Sequence, residues 1–251
     1  MTHGPARGAR RIAPLLASLL ALVSAASACA QPGGGGGSAA ASASGRAMLS
    51  LDSVLARASR GREHGAADAR VTVIEISDFQ CPYCRQFYEN TYHRFDSAYV
   101  KTGKVRMVYI HLPLPMHTQA YPAAEAAMCA GVQGKFWEMH DRLFASQREW
   151  AGQADAAQRF ARMALELSLD PAAYRDCVDN DRTAPLIVND AMQASGAGVN
   201  GTPAFIVNRN QMLNGAVSFE QLSAAVDAAL NGQTPPGTAT PAPAPPAPAQ
   251  P

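Results

Sequence analysis

Between residues 71 and 110 the spacing of apolar positions changes period twice. Val71–Ser77 (VTVIEIS) is dense in β-branched residues and reads as a largely buried strand. Phe87, Thr91, Phe95 and Tyr99 then recur every fourth residue, which marks one face of a helix closed by Gly103. Pro82 suits the start of that helix, since the first helical position needs no N–H. Val105–Ile110 (VRMVYI) reads as a second strand. Strand, helix, strand predicts a βαβ unit with a parallel pair.

From Pro122 to about Ala197 the pattern is helical. Phe136, His140, Leu143 and Phe144 mark one face, and Phe160, Met163, Ala164 and Leu167 another. Asp170-Pro171 reads as an N-cap followed by proline at the first helical position. Ala204–Val207, a turn at 208–210 and a strand near Met212 return the chain to β structure. Ser218 with Gln221 forms a capping box for a last helix that ends near Leu230. Residues 48–60 carry one more short helix, followed by a connector to about Arg70. The expected fold class is α/β: a βαβ unit, an inserted helical subdomain at about 118–197, then ββα. The folded domain spans 65–231. Residues 29–64 form a Gly/Ala-rich tether and short helix, and 232–251 a Pro/Ala-rich disordered tail.

Charge changes this picture little: 21 basic and 20 acidic residues give no reason to expect a nucleic-acid partner. The N-terminus changes it more. Arg7, Arg10 and Arg11 precede an apolar run from Ile12 to Val23 and small residues up to Cys29, the layout of an export signal over residues 1–28. Two readings of its end stay open. Ala26-Ser27-Ala28 fits ordinary cleavage, whereas Ala26-Ser27-Ala28-Cys29 is similar to a bacterial lipoprotein box that would lipidate Cys29. The glycines at 33–37 suit a tether to such an anchor. Either way the protein is expected in the periplasm or at the outer face of a membrane, as a monomer, where disulfides persist.

Cys81-Pro82-Tyr83-Cys84 places two thiols one helical turn apart at the first strand-to-helix junction. Partial positive charge at a helix N-terminus favours a thiolate at Cys81, the attacking species in disulfide exchange. Cys84 is placed to close the internal disulfide. A zinc site would need a second CxxC or paired histidines, and the chain has neither, so no metal is expected. Glu75, six residues earlier in a buried-looking strand, is either a carboxyl of raised pKa that exchanges protons or a glutamate on a solvent-facing side. Cys129 and Cys177 read as a structural disulfide between two helices, with free buried thiols or a second relay pair as alternatives.

Glu75-Ile-Ser-Asp-Phe-Gln-Cys81-Pro-Tyr-Cys84, with Gly201-Thr-Pro203-Ala-Phe downstream, resembles the DsbA-like group of thioredoxin-fold proteins. The helical stretch containing Ala123-Ala-Glu-Ala-Ala-Met-Cys129 and Gly134-Lys-Phe-Trp-Glu-Met-His140 extends the resemblance over most of 65–231. The likeness implies a cis bond before Pro203, set against the active-site pair, and a Thr202 that offers backbone groups to a bound substrate chain. Pro82 and Tyr83 would lie under that substrate, and Glu75 would handle protons for Cys84. Tyr83 departs from the best-known bacterial oxidant of the group, which has His there. The implied function is insertion of disulfides into exported polypeptides, with a quinone-coupled membrane thiol oxidase as reoxidising partner and no cofactor beyond the cysteine pair. Two alternatives are a reductase or isomerase, and a non-catalytic binding lipoprotein. His117, His140 and Trp137 are read as packing or capping residues.

Overall fold

The computed structural model describes residues 49–233. The signal segment, the Cys29 lipidation candidate and the Pro-rich tail lie outside the described residues. A helix over Leu51–Gly61 (α1), N-capped by Ser50, leads to a two-residue strand over Glu63–His64 (β1). That strand lies in the stretch expected to be a plain connector. Two polar residues carry no periodicity, and their extended form comes from antiparallel pairing with the third strand. Strand Val71–Ser77 (β2) is followed by helix Pro82–Phe87 (α2), which runs on through a π-helical stretch at Tyr88–Tyr92, a short α segment at His93–Phe95 (α3) and a second π stretch at Asp96–Val100. Strand Val105–His111 (β3) closes the unit.

The π stretches account for the strict spacing of four. On an ordinary turn of 3.6 residues each four-residue step drifts by roughly 40° around the axis. Wider π turns offset that drift, so Phe87, Thr91, Phe95 and Tyr99 all stay buried in one stripe. Thr91, the polar member, donates from its hydroxyl to the Val217 carbonyl at 2.9 Å.

Six helices separate β3 from the next strand: Ala120–Val132 (α4), Phe136–Ala145 (α5), Gln147–Trp150 (α6), Ala156–Glu166 (α7), Pro171–Asp179 (α8) and Ala184–Gly196 (α9). Strands Ala204–Val207 (β4) and Gln211–Asn214 (β5) and helix Phe219–Leu230 (α10), which opens on the Ser218–Gln221 capping box, complete the described chain. The five strands lie in the order β1-β3-β2-β4-β5. The β2–β3 pair is parallel and the other pairs are antiparallel.

In β2 the side chains alternate between two buried faces. Val71, Val73, Glu75 and Ser77 point to the larger core, which the α2 helix and the insertion cover together. Ile74 and Ile76 join Leu112, Ala194 and Val199 in a smaller cluster on the α9 side. Arg62 and Asp190, both buried, form an ion pair that ties the start of β1 to α9, and Asp190 also accepts from the His111 N–H at 3.1 Å. No helix among the described residues is long and apolar enough to cross a membrane.

Candidate active site

Cys81 is the N-cap of α2, with extended backbone angles (φ −67°, ψ 124°) and Pro82 in the first helical position. Its position depends on the preceding turn, because the backbone between β2 and α2 is fixed by Asp78. The buried Asp78 carboxylate accepts from the N–H groups of Gln80 (2.7 Å) and Leu114 (2.9 Å) and pairs with His117 Nδ1 at 2.7 Å. The Asp78 carbonyl accepts from the Cys81 N–H at 3.0 Å. His117, read from sequence as a packing or capping residue, therefore helps hold the loop from which the cysteine pair projects.

Cys81 and Cys84 stand as free thiols in unlike surroundings. The Cys81 Sγ lies 3.4 Å from the Thr202 carbonyl oxygen. A hydrogen bond from the Cys84 thiol, aided by the N–H groups of Cys84 and Tyr83, outweighs burial and lowers the Cys81 pKa to about 6. Cys84 is fully enclosed. Burial first, and then the neighbouring Cys81, push its thiol well above the ordinary range. Pro82 and Tyr83 lie exposed beside Cys81, with Tyr83 62% accessible. The Thr202–Pro203 bond is cis, and the Thr202 carbonyl lies against Cys81 just before β4.

Glu75 is 1% exposed and sits across from Tyr109 on β3 and Phe205 on β4. No well-aligned hydrogen bond satisfies either of its carboxylate oxygens. Desolvation raises its pKa to about 8, against a weaker opposing effect of the neighbouring Ser77 hydroxyl. The same hydroxyl favours the charged form of Cys84. The buried Ser77 hydroxyl is thus the polar group near both the carboxyl and the inner cysteine, with no well-aligned hydrogen bond to either. With its pKa raised to about 8, Glu75 holds its proton at neutral pH.

Cys129 on α4 and Cys177 on α8 are bonded, with an S–S distance of 2.02 Å and Cα atoms 5.8 Å apart. Among the described residues no group of three or more His, Cys, Asp or Glu side chains is placed to hold a metal ion. Ser77, Asp78, Tyr109 and Gln147 are site residues that sequence reasoning did not single out. The first two lie inside the motif around the cysteines, yet nothing in their identity shows what they touch.

Comparison with known proteins places these features in context. A family model described as thioredoxin matches residues 58–228. The Na(+)/H(+) antiporter NhaA 3 of Salinispora tropica is 42% identical over 171 residues, which cover 67% of this chain and 25% of the antiporter. A Rickettsia conorii protein assigned by name to the protein-disulfide oxidoreductases is 29% identical over 170 residues, or 67% of this chain and 60% of that protein. The chain therefore spans about a quarter of the antiporter's length and three fifths of the oxidoreductase's. In structure it is similar to α-DsbA1 of Wolbachia pipientis, with a TM-score of 0.62 and 21% identity over 68% of this chain and 91% of that one.

Proposed function

Because the chain belongs to the thioredoxin family, with the DsbA-like form of its fold, we propose that it is a thiol–disulfide exchange enzyme that donates a Cys81–Cys84 disulfide to the thiols of exported polypeptides. The observation that carries this reading is the unequal setting of the two thiols. A sulfur held as thiolate near pH 6 stabilises the reduced pair, and a stabilised reduced form is what makes a disulfide oxidising.

A substrate thiolate attacks Cys81 Sγ, forming a mixed disulfide and breaking the bond to Cys84. The Cys84 sulfur leaves into a buried, apolar setting where the thiolate is disfavoured, and it takes the proton of Glu75 by way of the Ser77 region. The second substrate thiolate then attacks the substrate sulfur of the mixed disulfide. Cys81 departs as a stabilised thiolate, the substrate leaves oxidised and the enzyme is left reduced. Thr202 and cis Pro203 flank Cys81, where the backbone of an extended substrate would lie. Export by residues 1–28, with Cys29 either lipidated or removed by ordinary cleavage, and reoxidation by a quinone-coupled membrane thiol oxidase complete the reading. No organic cofactor enters the exchange.

Equilibration of the purified protein against glutathione tests the direction of electron flow. The expected potential lies well above that of thioredoxin, about −270 mV, and toward the roughly −120 mV of strong periplasmic oxidants. A value at the thioredoxin end would replace the oxidase with a reductase.

A further inference from the structure

The carbonyl groups beside the reactive sulfur are held by a side chain from the inserted helices. Gln147, at the start of α6 and 3% exposed, donates from Nε2 to the Phe79 carbonyl at 2.6 Å and to the Cys81 carbonyl at 3.0 Å. Its helix is fixed by Trp150, fully buried, whose indole N–H donates to the Leu143 carbonyl at 2.9 Å and whose ring packs edge-on against Phe160. A second connection returns to the same loop. The Gly152 N–H donates to Gln119 Oε1 at 3.0 Å, and the Gln119 N–H donates to Gln80 Oε1 at 2.7 Å, one residue before Cys81. Through Gln147, residues 147–152, Gln119 and Gln80, hydrogen bonds and backbone form a closed ring that starts and ends at Cys81.

We infer that Gln147 is a positioning residue for Cys81, through which the inserted helices set the redox poise of the pair. The inference rests on the reading of Cys81 as the attacking cysteine. The Cys81 carbonyl also accepts from the Arg85 N–H at 3.2 Å, and the amide engages its remaining lone pair together with the Phe79 carbonyl, holding both toward α6. The groups facing the sulfur are then the Cys84 thiol, the Thr202 hydroxyl and the Cys84 and Tyr83 N–H groups, which stabilise negative charge, beside the Thr202 carbonyl at 3.4 Å, which accepts from the thiol. A buried amide is also neutral, so it holds the loop at every pH without adding a charge of its own.

The test is Gln147→Met in the full chain, a change of similar length that removes both donors. The thiolate's ultraviolet absorbance is followed against pH, and the dithiol–disulfide equilibrium is measured against glutathione. The titration midpoint is expected to rise by about half to one unit, and the equilibrium to shift about three- to tenfold toward retained disulfide, as loss of one or two ordinary hydrogen bonds to the site implies. If thermal stability falls while midpoint and equilibrium stay in place, Gln147 is a packing residue and the inference is overturned. Should Gln147→Met fail to fold, Gln119→Ala opens the ring at a half-buried link. It must move the midpoint in the same direction by a smaller amount, and an unmoved midpoint overturns the inference equally. Cys81→Ser serves as the reference and is expected to abolish the thiolate signal. A signal that persists there would sink the assignment of Cys81, a failure separate from that of Gln147.

Discussion

The two cysteine pairs of this chain differ in setting more than in chemistry. Cys129 and Cys177 join α4 to α8, far apart in sequence, inside a shell of apolar side chains. Cys81 and Cys84 lie one turn apart in a polar frame built by Asp78, Gln147, Thr202 and the end of a helix. In the first pair both sulfurs are buried and bonded to each other. In the second, the outer thiol is stabilised as an anion and the inner one is penalised. Reactivity thus follows from unequal treatment of two identical groups. A pair treated alike is simply a crosslink.

Substitutions can break this contrast in order of size. Cys81→Ser should reduce disulfide transfer to a reduced peptide to the uncatalysed background, and appreciable residual transfer would remove the pair from its proposed role. Replacing Cys129 and Cys177 together by Ala should leave exchange measurable at low temperature. It should lower unfolding stability by about 4 kcal/mol on the loop-entropy model, read from denaturant curves of both proteins. Loss of exchange without loss of stability would mean that the second pair is itself a relay.

Glu75→Gln sharpens the contrast through pH. The folded protein retains the Glu75 proton up to about pH 8, whereas the unfolded chain releases it near 4.5. Unfolding is therefore increasingly favoured as pH rises between those values. The wild type should lose on the order of 3 kcal/mol across that window from this one group, while the Gln variant should be correspondingly more stable at pH 8 than at pH 5 relative to it. Denaturation at the two pH values measures the difference, and parallel curves would place the carboxyl in a wetter setting. The smallest effect is expected at exposed Tyr83. Tyr83→His adds a group that stabilises the thiolate and should raise the reduction potential by about 30 mV, the equivalent of about 1.4 kcal/mol. A fall in potential would show that the tyrosine contributes through packing.

The legible part of this protein was the part coded by local pattern. β-Branched runs marked β2 and β3, Pro82 and Asp170-Pro171 marked helix starts, and Ser218 with Gln221 marked the last helix. The cysteine motif at a strand-to-helix junction carried its own chemistry, because a helix N-terminus acts on a sulfur within the same few residues. The short strand β1 was hidden, since Glu63 and His64 are extended only because β3 lies beside them. The π turns inside the Pro82–Val100 helix were equally hidden. A spacing of four is compatible with a plain helix until the core requires one straight stripe.

Sequence by itself therefore determined the order of the elements from β2 onward, the reactive CxxC frame and the chemistry open to it. Only the tertiary structure decided what surrounds each polar group. Glu75 has two possible faces until β3 and β4 enclose it. His117, Gln119 and Gln147 reach the cysteine loop from segments 39 to 68 residues away along the chain. Local propensity acts over a few neighbouring residues, whereas desolvation and hydrogen bonding depend on whichever atoms the fold brings within about 3 Å.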